Sequence, residues 1–114
     1  MAKAIMTSNR ESFESVANLF SVLADPTRLR ILHLLEEKPA FVSTVVERLK
    51  LKQANVSKHL SVMYDAGLVN RERNGNQIRY SVDEPLVFEL CNLVCQKLHR
   101  EAQSKVRIFR RVVG

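Results

Sequence analysis

Amide, hydroxyl and basic side chains are concentrated between Gln53 and Asp65, in a short segment with helical periodicity. Gln53 and Asn55 carry side-chain amides, which can pair bidentately with adenine in a major groove, and Lys58 adds a cation. A solvated helix face usually carries pairs of acids and bases, but Asp65 is the only acid in this segment. The pattern therefore favours a DNA-reading helix over an ordinary solvated face.

Basic and amide side chains also surround a turn further along the chain. Asn74-Gly75-Asn76 is a β-hairpin signal between two short strand candidates, 68–73 and 77–83. A basic hairpin directly after a DNA-reading helix is typical of a wing, which holds the phosphate backbone without reading the bases. The full set of predicted DNA contacts is Gln53, Ala54, Asn55, Ser57, Lys58, His59, Ser61, Arg71, Arg73, Asn74, Asn76 and Arg79.

Two helices are predicted before this region. Apolar residues recur at intervals of three and four in the first helix, where they form the stripe Phe13, Val16, Ala17, Phe20 and Leu23. Asp25 and Pro26 then predict the start of a second helix, as its N-cap and its first helical residue. This second helix is the most apolar of the chain, so we expect it at the centre of the core.

A helix-turn-helix is predicted over residues 42–66. Its first helix has Thr44 and Glu47 at capping-box spacing. The turn is Lys50-Leu51-Lys52, and two helices joined by so short a turn fit a helix-turn-helix. The buried side of the DNA-reading helix is expected to consist of Val56, Leu60, Met63 and Tyr64.

Pro85 opens a last amphipathic helix, expected to run to about residue 106. Its apolar stripe is Val87, Leu90, Cys91, Val94 and Leu98. This helix is long for a chain of 114 residues, so it and the first helix, 9–23, are each expected to need a partner. The predicted fold is mainly α with a small β-hairpin over 68–83, in the order α-α-α-α-β-β-α, as one winged helix-turn-helix domain, 1–114.

The charge balance points to an acidic partner. Lys and Arg outnumber Asp and Glu 18 to 12, which gives a formal charge of +6 and favours nucleic acid or an anionic membrane surface. No segment approaches the roughly 20 apolar residues that span a bilayer, and the start of the chain has no signal-peptide run. The sequence therefore predicts a cytoplasmic protein without a membrane partner.

Three segments resemble the ArsR/SmtB family of transcriptional repressors. Residues 23–32 (LADPTRLRIL) are similar to the family's second-helix signature, and 51–60 (LKQANVSKHL) to its recognition helix. Residues 66–69 and 80–82 are similar to the segments through which the family's recognition helix leads into its wing. The resemblance extends over about 17–99, and the three signatures follow one another in the family's order.

This resemblance implies a homodimer formed through the first and last helices. Such a dimer binds a palindromic DNA operator as a repressor and releases it when an inducer binds or a thiol reacts. The family's metal-binding thiols on the helix before the turn have no counterpart in 43–48. Its interfacial zinc positions correspond to Glu84, Leu86, Lys97 and Arg100, and a leucine with two cations cannot ligate zinc.

Cys91 and Cys95 lie one helical turn apart and are the candidate sensor residues. Two thiols on one helix face can chelate a thiophilic metal or metalloid, or can be oxidised or persulfidated. Cysteine also packs as a small hydrophobic residue, so both can equally be core positions of a thiol-independent regulator. The residues alone leave these alternatives open.

Catalysis has no support in the sequence. No nucleophile with its base, no phosphate-binding glycine loop and no acidic pair stands out, so we expect the protein not to be an enzyme. Two other classes stay open, namely a winged-helix module that binds protein and a small thiol redox protein using Cys91 and Cys95.

Overall fold

The computed structural model describes the backbone of residues 10–113 and the side chains of residues 10–105, so the predicted first-helix residue Asn9 lies outside the described residues. The helices in this part are α1 (Arg10–Leu23), α2 (Pro26–Glu37), α3 (Val42–Leu49), α4 (Gln53–Asp65) and α5 (Pro85–Val113). The strands are β1 (Ala40–Phe41), β2 (Asn70–Asn74) and β3 (Gln77–Ser81). The predicted mainly helical fold with a hairpin is confirmed, with one additional short strand.

The chain divides after Asp83 into two compact units. The first unit contains α1 to α4 and the three strands, and the second consists of α5. The core of the first unit is apolar and includes residues of α2, α3 and α4, the segment after α4, and β3. Its buried members are Val22, Ile31, Leu32, Leu35, Ala40, Val45, Val56, Leu60, Met63, Leu68, Val69 and Tyr80.

Asp25 starts α2 as the sequence predicts. Its backbone is extended, with φ of −145°, and its Oδ1 accepts hydrogen bonds from the backbone N–H groups of Thr27 at 2.8 Å and Arg28 at 3.1 Å. Pro26 occupies the first turn, where a missing N–H costs nothing. The backbone hydrogen bond from Arg28 is the main reason that the pKa of Asp25 lies below its ordinary 3.8.

Replacing this cap is expected to destabilise the fold measurably. Asp25→Ala should lower the free energy of unfolding by about 1 kcal/mol, because two first-turn N–H groups lose their acceptor. Since folding lowers the pKa of Asp25, the extra stability from its charge is present above the unfolded-state pKa and is lost as pH falls through the folded-state value. Urea unfolding at neutral pH and near pH 3 measures both effects. Asp25→Ser is the control: it should stay close to wild type at neutral pH, and an equal loss in both variants would contradict the capping role.

The helix-turn-helix has the predicted turn but a different start. Lys50 ends α3 in the left-handed conformation, with φ of 56°, and the chain then enters α4 at Gln53. The predicted capping box of Thr44 and Glu47 is wrong. The N-cap position of α3 is Phe41, which makes no side-chain cap hydrogen bond, because β1 runs directly into the helix.

The three strands form one antiparallel sheet in the order β1-β3-β2. Strand β2 lies at the edge of this sheet, and all of its residues are exposed. The unpredicted strand β1 pairs Ala40 with Tyr80 and Phe41 with Arg79. This pairing places the start of α3 beside the hairpin.

Candidate nucleic-acid interface

The predicted DNA-reading helix is α4, with the bounds expected from the sequence. Val56, Leu60 and Met63 form its buried side. Its exposed side chains include Gln53, Ala54, Asn55, Ser57, Lys58 and Ser61, whereas His59 is half-buried. A helix that is fixed by one apolar side and exposes polar groups on the other can enter a groove without disturbing the core.

The start of α4 is favourable for an anion. Its first turn contains no acidic residue, and its N-cap residue Lys52 makes no side-chain cap hydrogen bond. The first N–H groups of a helix have no acceptor within the helix, and the macrodipole places partial positive charge there. A phosphate group close to this end would meet donors and a favourable field.

A groove of 260 Å³ opens beside this helix start. Gln53 and Ser57 of α4, Asn76 and Gln77 of the hairpin, and Ser43 of α3 provide its polar lining. The apolar side chains of Phe41, Val42 and Ile78 complete the lining. The structure therefore brings the first turns of α4 and the tip of the hairpin to one concave surface. These are the two features that the sequence predicts to contact DNA.

The hairpin has the form of a wing. Asn74 pairs with Gln77, and Gly75 between them has φ of 66°, which glycine adopts without a steric penalty. Arg73, Asn74 and Asn76 are exposed around this turn. Among the described residues, no ion pair or ring contact engages Arg73, so its guanidinium is available to an external anion.

Arg71 has a different environment from Arg73. Its guanidinium carbon lies 3.8 Å from the centre of the Tyr64 ring, a cation–π contact with the last turns of α4. A side-chain hydrogen bond with Tyr80, opposite Arg71 in the sheet, is the main reason that the pKa of Arg71 is raised. Tyr64 was expected on the buried side of α4, but it is 38% exposed and supports Arg71 instead.

Arg79, the remaining predicted wing cation, is half-buried. Its Nη2 lies 3.7 Å from Oε2 of Glu72 on the paired strand. This is an ion pair at the surface of the sheet, and such pairs contribute little to stability. Part of the positive charge of Arg79 is therefore offset within the hairpin.

Arg28 makes side-chain contacts that the sequence does not predict. Its Nη1 donates to the carbonyl oxygen of Val22 in α1, and its Nε donates to Nδ1 of His59 in α4, both at 3.1 Å. Arg28 thus connects α2 with two other helices. The only signal in the sequence is its place in the segment 23–32, and nothing there indicates His59 as the acceptor.

Known proteins match this part of the chain. The sequence-family model described as bacterial regulatory protein, arsR family, matches residues 25–71. The uncharacterized HTH-type transcriptional regulator Rv0081 of Mycobacterium tuberculosis is 34% identical over 94 residues, which are 82% of each chain. The chain belongs to the ArsR family. The probable mercury resistance operon repressor of Streptomyces lividans is 39% identical over 80 residues. These residues are 70% of this chain and 64% of that repressor, so this chain spans less than two thirds of the length of the repressor.

Solved structures of ArsR-type regulators have the same fold. The crystal structure of Rv0081 has a TM-score of 0.75 at 33% identity, over 87% of this chain and 99% of that one. The antimony-specific transcriptional repressor AntR has a TM-score of 0.70 at 27% identity, over 88% of this chain and 94% of that one. The ArsR-family protein described here is accordingly a winged-helix, DNA-binding transcription regulator and not an enzyme.

The two cysteines of this ArsR-family chain lie in α5. Cys91 is half-buried, Cys95 is exposed, and neither forms a disulfide. Within the described residues, no group of three or more His, Cys, Asp or Glu side chains is placed to hold a metal ion. Two thiols one turn apart remain as donors for a soft ion or metalloid.

Among the described helices, none contains an apolar stretch that could span a bilayer.

Proposed function

We propose that this ArsR-family protein is a cytoplasmic repressor that binds a two-fold symmetric DNA operator as a homodimer. The recognition helix α4 enters the major groove, and the wing, β2 to β3, contacts the phosphate backbone. The observation that carries this proposal is the shared groove, where the exposed polar start of α4 meets the tip of the hairpin. A net charge of +6 adds long-range attraction to DNA.

Within α4, the side chains divide by what they can contact. Gln53 and Asn55 read bases, because an amide offers both a donor and an acceptor to a base edge. Ser57, Lys58 and Ser61 lie further along the exposed side and contact bases or phosphates. Ala54 has only a methyl group and can pack against a thymine methyl.

The wing arginines are expected to differ in a salt titration. Arg73→Ala removes one phosphate contact from each subunit of the dimer, so the slope of log binding constant against log salt should become shallower by about 1.8, at roughly 0.9 per contact. Arg71→Ala should weaken binding without changing that slope, because Arg71 holds the wing against Tyr64. Fluorescence anisotropy with operator DNA over a range of salt concentrations measures both. A shallower slope for Arg71→Ala would show that Arg71 contacts phosphate, and a protein-binding module would show no steep salt dependence with any variant.

A second copy of the chain is the proposed partner of two exposed apolar stripes. Phe13 and Phe20 lie seven residues apart on one side of α1 and are 56% and 54% exposed. On α5, Val94 and Leu98 are 48% and 57% exposed, although they continue the stripe that begins with the buried Val87. Contiguous exposed apolar side chains mark interaction surfaces, and two-fold homodimers are the commonest soluble oligomers.

The thiols of Cys91 and Cys95 are the proposed inducer site. The exposure of Cys95 favours this over a purely structural role, because reactive cysteines are accessible and structural ones are buried. An antimony-specific repressor and a probable mercury resistance operon repressor are among the relatives, and both elements bind sulfur strongly. The two thiols would hold a thiophilic metal or metalloid, or would react with an oxidant or persulfide.

The thiol proposal predicts that two single substitutions share one phenotype. Cys91→Ser and Cys95→Ser should each bind operator like wild type, while arsenite, peroxide or persulfide should weaken only the wild type, by about 5- to 150-fold. Operator binding with reductant and with each reagent measures this. If both variants respond as wild type does, the cysteines are not the sensor, and the protein is a thiol-independent regulator.

A further inference from the structure

The side chain of Arg28 joins the end of α1 to the recognition helix. Nη1 donates to the carbonyl oxygen of Val22, which lies in the last turn of α1. Carbonyl groups in the last turn of a helix have no N–H donor within that helix. The guanidinium of Arg28 supplies this donor to Val22. Nε of the same guanidinium donates to Nδ1 of His59, 31 positions further along the chain.

The direction of this hydrogen bond defines the chemical state of His59. An arginine side chain only donates and stays protonated, so Nδ1 of His59 must accept with a free lone pair. The imidazole is therefore neutral and carries its proton on Nε2. His59 is also half-buried, unlike the exposed side chains of Asn55 and Lys58 on the same helix.

We propose that Arg28 and His59 fix the position of the recognition helix relative to the end of α1, with His59 as a positioning residue and not a DNA contact. This inference rests on the proposed DNA-reading role of α4. A lysine in place of Arg28 could not make both contacts in the same way, because an ammonium group lacks the planar arrangement of donors. We call the two hydrogen bonds of Arg28, to Val22 and to His59, the tie. It connects the reading helix with α1, one of the two helices proposed to form the dimer.

Protonation of His59 should weaken this tie. A proton on Nδ1 removes the acceptor of Arg28 and places a second positive charge beside it. The charged groups that face His59 are Asp25 and Arg28, at the N-cap and in the first turn of α2, and Lys58 precedes it on α4. The pKa of Asp25 is lowered, mainly by the backbone hydrogen bond from Arg28, so Asp25 stays ionised at neutral and mildly acidic pH.

The two roles of His59 predict opposite effects of acid. A positioning residue makes operator binding weaker wherever its imidazole is protonated, by up to roughly tenfold for one lost charge-assisted hydrogen bond. A direct contact with phosphate makes binding tighter, because an imidazolium attracts the anion. Fluorescence anisotropy with operator DNA at constant ionic strength distinguishes the two signs in the wild-type protein.

Two amide variants form a matched pair for this measurement. His59→Asn places an oxygen close to the position of Nδ1 and cannot titrate, so it should bind like wild type at neutral pH and lack the acid response of the wild type. His59→Gln carries its oxygen one bond further out and should bind roughly tenfold more weakly at neutral pH and in acid. His33 and His99 are present in both variants and report any other pH dependence.

Imidazole ¹⁵N NMR of the free protein tests the tie without DNA. The wild type should show the Nε2-protonated form of His59, and Arg28→Lys should lose this preference while its backbone spectrum stays that of a folded protein. Tighter binding in acid, wild-type binding by His59→Gln but not by His59→Asn, or an Nδ1-protonated His59 would each overturn the proposal. The expected tautomer in a protein that binds no DNA would support the tie and contradict the proposed function instead.

Discussion

A carboxylate placed on the exposed apolar stripe of α5, as in Leu98→Glu, is expected to produce a monomer that binds the operator at least about 100-fold more weakly than the dimer. Leu98 is 57% exposed in the single chain, and a second copy would cover it. A monomer reaches one half-site only, so it loses the gain from simultaneous binding of two recognition helices. Analytical ultracentrifugation and operator titration of the same samples measure the two effects together.

The matched control for this substitution is Gln96→Glu. Gln96 is exposed on α5 and lies two positions from both Val94 and Leu98, so it points about 160° away from each around the helix. The Gln96→Glu protein should remain dimeric and bind like wild type, because the substitution adds the same charge outside the stripe. If Leu98→Glu stays dimeric, or if both variants dissociate equally, the stripe is not the dimer interface.

Gln53→Ala is expected to cost about 1–3 kcal/mol at particular base pairs of the operator. The side-chain amide of Gln53 lies in the exposed first turn of α4 and lines the groove beside the wing. Its loss should remove discrimination at the bases that it contacts and leave the other positions unchanged. Titration of single-base operator variants with both proteins measures this as a loss of preference at one or two positions in each half-site.

Arg73→Ala is the natural comparison for Gln53→Ala. It should weaken binding to all operator variants by a similar factor, because a phosphate contact carries no sequence information. Equal weakening at every position by Gln53→Ala would assign Gln53 to the backbone. If Arg73→Ala instead loses the preference for particular bases at single operator positions, the tip of the wing contacts bases in a groove.

Local signals predicted the elements that position the interface. Asp25 and Pro26 predicted the start of α2, because an N-cap and a first-turn proline act within a few residues. The bounds of α4 followed from its periodicity and from the short turn before it. The resemblance to the ArsR/SmtB family predicted the same architecture, and the comparisons confirm that family.

The features that could not be predicted depend on contacts between distant segments. Strand β1 has two residues and exists through its pairing with β3, so neither periodicity nor composition indicates it. Tyr64 continues the apolar side of α4 in sequence, but the contact with Arg71 decides where its ring lies. The hydrogen bond from Arg28 to His59 likewise requires the packing of α2 against α4 to be known.

Periodicity also failed to separate core from surface within one stripe. In the predicted stripe of α1, Val16 and Leu23 are half-buried in the single chain, whereas Phe13, Ala17 and Phe20 are exposed. Both groups are apolar, and an apolar side chain is equally suited to the core and to a subunit interface. A pattern of hydrophobic residues therefore predicts that a face is covered, and not what covers it.

The most direct test of the central claim is selection of bound sequences from a pool of random double-stranded DNA by the purified protein. The proposed function predicts enrichment of one two-fold symmetric sequence, with half-sites about one helical turn apart. Binding of that sequence should weaken log-linearly with salt. A pool that shows no enriched symmetric sequence after repeated selection would contradict the account of α4 as the reading helix of a homodimeric repressor.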